Sequence, residues 1–140
     1  MATVWQYNGQ DISLDQVPKE LFGFTYMVTF TDGTKYIGKK QIWSYRNVKL
    51  GKKALAARED KRSSKKELRI YESKWREYEG SSQHRGSRIV AKKEILDWCW
   101  TKTQLTYEET RQQFVHDVLF DDTFLNANIL GKFFVARSSS

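Results

Sequence analysis

A chain of 140 residues with 14% aromatic content suits one domain around one modest core. No apolar run approaches the ~20 residues of a membrane span, and no charged-then-apolar signal region opens the chain, so a cytoplasmic protein is expected. Cys99 stands alone, which excludes an internal disulfide, and no Cys/His cluster has zinc spacing. The net charge of +7 is unevenly spread: Lys35 to Lys93 carries 19 Lys and Arg against 6 Asp and Glu, the remainder 5 against 11. A basic middle between acidic flanks focuses a field suited to a polyanion. Binding through phosphate neutralisation would weaken steeply with salt.

In chain order, Thr3–Tyr7 is a short strand candidate and Asn8-Gly9 a turn signal, together an edge hairpin. Asp15–Leu21 reads as one helical turn, with Asp15 as cap and Pro18 near its start. Phe24–Phe30 and Thr34–Lys40 are β-rich runs separated by Asp32-Gly33, a strong hairpin signal. Alternation puts Phe24, Tyr26, Val28 and Phe30 on one face. The basic run Lys49–Lys66 has poor periodicity, with a helical turn expected at Ala54–Arg58. Its composition predicts disorder that resolves on a nucleic acid.

Further on, Glu67–Glu79 places Leu68, Tyr71, Trp75 and Tyr78 at helical spacing and is predicted as a short helix. Gly80–Gly86 is a loop, and Arg88–Trp100 a strand. Thr106-Tyr107-Glu108-Glu109 fits a capping box opening a helix to about Leu119, with Tyr107, Phe114 and Val118 facing the core. A last strand is expected at Phe133–Val135, and residues 138–140 as a disordered tail. No internal repeat or second domain is visible, so residues 1–137 are read as a single domain with a basic insertion at about 47–66.

Four motifs occur in order: Phe24-Thr25-Tyr26, then Tyr36-Ile37-Gly38-Lys39-Lys40, then Trp75-Arg76-Glu77-Tyr78-Glu79-Gly80-Ser81-Ser82, then the string Leu105 to Phe114. This pattern resembles the GIY-YIG nucleases, and within them the phage Seg-type homing endonucleases, over roughly Trp5 to Ile129. The resemblance implies an α/β fold, a small mainly antiparallel sheet with flanking helices. It also implies a divalent-metal-dependent DNA endonuclease of the bacterial-host cytoplasm, with Mg2+ (or Mn2+) as cofactor and double-stranded DNA as partner. Sequence specificity would come from the basic insertion, a homo-oligomer or a recognition partner.

Carried over by motif, the resemblance makes Glu109 the metal-binding acid, with Glu108 the alternative. Arg46, eight residues after Gly38, is the expected helix-borne contact to the scissile phosphate. Tyr26 or Tyr36 would position or deprotonate the attacking water, and Asn126 would support the site through hydrogen bonds. A phenol titrates near ~10, so nearby cations must favour its ionised form; Lys39 and Lys40 are the candidates. His84 and His116 could act as bases chemically, but neither falls at the family's catalytic histidine. The expected DNA contacts are Lys39, Lys49, Lys52, Lys53, Arg58, Lys61, Arg62, Lys65, Lys66 and Trp75, with core packing the rival role for Trp75.

For both tyrosines to share a face, the hairpin loop must be odd. A two-residue loop would pair Tyr26 with Lys39 and turn Tyr36 to the other side. A three-residue loop Thr31-Asp32-Gly33 with left-handed Gly33 aligns the two. It also puts Lys40 on their side and Lys39 on the other, although the family commonly has a longer connection here. The rival readings are a non-catalytic DNA- or RNA-binding module of the same fold, and a structural phage protein that binds an acidic partner.

Overall fold

The structure, a computed structural model, describes residues 3–12, 17, 19–49, 66–80 and 85–135; at 44–49 and 66–69 it describes the backbone alone. Asp15, Pro18, the helical turn expected at Ala54–Arg58, His84 and the tail at Ser138–Ser140 lie outside the described residues. The chain divides into two compact units, Met1–Ile42 with Lys74–Ser140, and Trp43–Ser73. The second unit contains the expected basic insertion and is wider than it.

The first unit is built on a five-stranded sheet of order β2-β1-β7-β3-β4. Its strands are β1 (Trp5–Tyr7), β2 (Gln10–Asp11), β3 (Gly23–Phe30), β4 (Lys35–Gln41) and β7 (Val90–Cys99). All pairings are antiparallel except β1 with β7, where Trp5 lies opposite Lys93. The edge hairpin forms as expected, turning at Asn8 and Gly9 with positive φ at both. The central hairpin has the odd loop: Thr29 pairs with Lys35, and Phe30 N–H donates to the Thr34 carbonyl at 2.8 Å. Gly33, at φ 90°, takes the left-handed position. In consequence Tyr26 lies opposite Gly38 and Tyr36 opposite Val28, so both phenols share a face.

One helix follows among the described residues, α1 (Lys102–Val115). Its cap lies five residues before the predicted capping box. Thr101 is the N-cap and accepts from Gln104 N–H, while the Gln104 side chain accepts from Trp100 N–H at 2.8 Å. The string Thr101-x-x-Gln104 has the spacing of a capping box, with the Gln104 side chain taking the Trp100 N–H just before the cap at the end of β7. With the start shifted, Leu105 and Gln113 are buried, whereas Tyr107 and Phe114, expected in the core, are exposed. Val118 is buried as expected, beyond the helix end. A small hairpin of β8 (Asn128–Ile129) and β9 (Phe133–Phe134) closes the unit.

The sheet is covered on both faces. Trp5, Phe24, Tyr26, Val28, Trp75 and Ile95 pack on one. Ile37, Val118, Leu119, Phe124 and Ile129 form the cluster on the other, joined by Met27 and Leu96. Cys99 is buried, and burial, with Asp97 and Glu108 nearby, pushes its thiol up to about 12. Because the thiolate is the reactive form, Cys99 will resist Ellman's reagent at pH 8 in the folded chain and react after unfolding in guanidinium. Rapid labelling of the native protein would show this packing to be wrong.

The second unit is a hairpin of β5 (Trp43–Lys49) and β6 (Lys66–Glu72), in register from Trp43 opposite Glu72 to Lys49 opposite Lys66. This corrects two expectations. Arg46 is borne on a strand, opposite Arg69, and not on a helix. The stretch predicted as a helix over Glu67–Glu79 is β6 followed by a turn. Leu68 and Ile70 also alternate with Glu67 and Arg69, and pairing with the β-rich run Trp43–Lys49 lets that shorter period win.

Candidate active site on the two faces of the edge strand

Strand β4 carries the Tyr-Ile-Gly-Lys-Lys string, and its alternation sorts the candidate residues into two groups. On one face the rings of Tyr26 and Tyr36 lie 6.2 Å apart, centroid to centroid. Tyr26 is fully buried; Tyr36 is half-buried. The third triplet residue is glycine for a reason of space, since Tyr26 lies directly over Gly38 and a Cβ there would meet its hydroxyl.

The Trp75-x-x-Tyr78-x-Gly80 string crosses this same face. Trp75 packs on Phe24, with ring centroids 5.8 Å apart, and accepts the Trp5 indole N–H at its carbonyl. Tyr78 packs edge-on against Tyr26, with the two hydroxyls 3.4 Å apart. Gly80 lies against both Tyr26 and Tyr36. Trp75 is therefore a core residue, which corrects its placement among the DNA contacts. Lys93 is buried beneath the segment and donates to the carbonyls of Arg76 and Tyr78 at 3.0 and 2.9 Å. Burial lowers its pKa, partly opposed by the negative charge of Glu79. Lys40 reaches the same group, its Nζ 4.5 Å from the centre of the Tyr78 ring.

Lys39 points the other way, toward α1. Its Nζ donates to Thr106 Oγ1 at 3.0 Å and lies 4.0 Å from Glu109 Oε1. Glu109 is mostly buried, and that burial raises its pKa, with Lys39 opposing. Glu108 is engaged elsewhere, its Oε2 accepting from Arg111 Nε at 2.6 Å. Arg111 also donates to Asp97, whose carboxylate accepts from Thr25 and Gln112 as well.

The structure thus brings Tyr26, Tyr36 and Lys40 together, and Lys39 with Glu109, but puts the two groups on opposite faces of β4. Asn126, in the segment just before β8, binds the backbone of β4 itself. Its side chain accepts from Ile37 N–H at 3.0 Å and donates to Ile37 C=O at 2.7 Å, closing the open edge of β4 where a further strand would pair. His116 contacts the Gln112 carbonyl and the Phe124 ring, away from both groups. Arg46 lies in the second unit with its side chain undescribed, as do those of Lys49 and Lys66; Lys52, Lys53, Arg58, Lys61, Arg62 and Lys65 lie outside the described residues. Sequence reasoning missed Thr106 and Tyr78 as members of these groups, and Gln113, whose side chain donates to the Ile37 carbonyl. Gln113 carried one readable signal, its place one helical turn from Glu109.

A family model described as "Putative endonuclease segE, GIY-YIG domain" matches residues 5–129. No curated protein and no solved structure matches the chain.

Proposed function

The chain belongs to the GIY-YIG nucleases of SegE type, and from that premise we propose that it is a divalent-metal-dependent endonuclease hydrolysing double-stranded DNA, a free-standing phage homing enzyme acting in the host cytoplasm. The observation that carries the reading is Glu109: a mostly buried carboxylate 4.0 Å from a lysine of the Tyr-Ile-Gly-Lys-Lys strand.

No group of three or more His, Cys, Asp or Glu gathers for a metal among the described residues. A magnesium site needs no such cage, because one carboxylate with waters and substrate oxygens is an ordinary arrangement. Glu109 fits that role: burial leaves its ionised form short of solvation, a deficit that a cation offsets. When bound, the metal supplies charge stabilisation at the phosphoryl oxygens. In this reading Glu109 would hold Mg2+ or Mn2+, and Lys39 would offer its charge to a phosphate oxygen. Tyr36, the more accessible phenol, would orient the attacking water or take its proton and Lys40 would help hold the negative charge, roles that require the substrate to reach both faces of β4, because these two residues lie opposite Glu109. Arg46 would present its planar fork to the scissile phosphate, and Asn126 keeps β4 in place through Ile37. The lysines and arginines of the insertion neutralise the backbone of the duplex.

The second reading, a binding module without catalysis, is favoured by one observation, that the phenols and Glu109 lie on opposite faces of β4. Incubation with supercoiled plasmid decides between them. Cleavage predicts nicked or linear product with Mg2+ or Mn2+, none in EDTA, and 5′- and 3′-ends that can be mapped. Retention of plasmid in a gel shift with no product in either metal would leave the binding module.

A further inference from the structure

The helix and the edge strand run alongside each other in a fixed ratio of steps. Gln113 Nε2 donates to Ile37 C=O at 3.2 Å. One turn earlier on α1, Glu109 lies beside Lys39, two residues further along β4. One turn earlier again, Leu105 touches Gly23, which pairs with Gln41 of β4. Four helix residues rise about 6.0 Å and two strand residues about 6.6 Å, so the three contacts stay in step. Of the three, Leu105 is apolar and tolerates sliding, and the Lys39–Glu109 pair is long and partly exposed. Gln113 is buried, and its bond is directional. The Ile37 carbonyl also accepts from Asn126, so the strand is held from its open edge while Gln113 holds the helix to it.

We propose that Gln113 is a positioning residue for the carboxylate site: its buried amide pins α1 to β4 in the register that sets Glu109 beside Lys39. The proposal rests on the reading of Glu109 as the metal-holding acid. A slip of one residue would carry Glu109 about 1.5 Å along the helix axis and rotate it by about 100°. Misplacement by an ångström at a reacting centre can cost about a hundredfold in rate.

The test uses Gln113→Met, which keeps an unbranched side chain of similar length and removes the donor. Its kcat for plasmid cleavage will fall by roughly a hundredfold with KM for DNA unchanged. In an edited NOE spectrum of the free protein, the cross-peaks from the Lys39 side chain to the Thr106 methyl group will be lost. Should that variant not fold, Gln113→Asn keeps the amide but falls a methylene short, and the same two changes are expected. Unchanged cross-peaks and unchanged kcat in the folded variant would overturn the proposal. If the wild-type chain itself cuts no DNA, the proposed activity fails, and the cross-peaks alone decide the register.

Discussion

Replacing Glu109 with alanine is expected to abolish metal-dependent cleavage while leaving DNA binding largely intact. A metal at the phosphoryl group contributes several kcal/mol to the transition state, so the fall should reach about a thousandfold or more. Glu108→Ala serves as the comparison, because that carboxylate is occupied by Arg111 and should leave cleavage in place. Glu109→Gln adds a second readout. With its side chain only 16% exposed, Glu109 in the folded chain holds its proton more tightly than in the unfolded chain. The penalty for ionising it is absent below the ordinary carboxylate range and complete once pH exceeds the raised folded value. At neutral pH the glutamine variant should therefore melt higher than the wild type in EDTA, while cutting no DNA. That exchange of stability for activity is the usual mark of a functional site. Undiminished cleavage by Glu109→Ala would remove Glu109 from the mechanism, and a lower melting temperature for Glu109→Gln would refute the buried, weakly solvated carboxylate.

Gly38→Ala should be the most damaging single methyl addition on β4. The new Cβ would sit 2.5 Å from the Tyr26 hydroxyl oxygen, 2.8 Å from its Cζ and 2.9 Å from Tyr36 Cε1. Gly38 is not among the positive-φ residues, so space alone is at issue. Tyr26 cannot simply withdraw, because Trp5, Phe24 and Tyr78 surround its ring. Overpacking of this kind costs about 1–3 kcal/mol, sometimes more, or a melting temperature lower by roughly 5–10 °C for a domain of this size. Cleavage should fall as well, since relief of the clash must part the two phenols. Gly33→Ala is the comparison: nothing lies within 4 Å of the added methyl, so any loss there reports the strain of its left-handed φ and not a clash. An alanine at position 38 that melts with the wild type and cuts at its rate would mean that the rings pack differently.

Much of the sheet was legible because its signals are local. Asn8-Gly9 and Asp32-Gly33 turn where turn chemistry says they should, and β3, β4 and β7 lie close to their expected ranges. The helix is present but starts earlier than expected, since two capping strings compete five residues apart and only the end of β7 at Trp100 selects the first. The helical spacing of Leu68, Tyr71, Trp75 and Tyr78 misled, because it spans a strand and a turn that belong to different units.

Alternation is a property of the covalent chain; joined to the odd loop that a shared tyrosine site requires, it places Tyr26, Tyr36 and Lys40 on one face and Lys39 on the other, as they are found. What packs on each face was decided only by the tertiary structure. There the Trp75–Gly80 segment lies over the phenols and α1 lies beneath, so Glu109 meets Lys39 on the far side. Side-chain parity is set by bond geometry within a strand, whereas the choice between two faces depends on which remote apolar surfaces bury each other, and no local spacing encodes that.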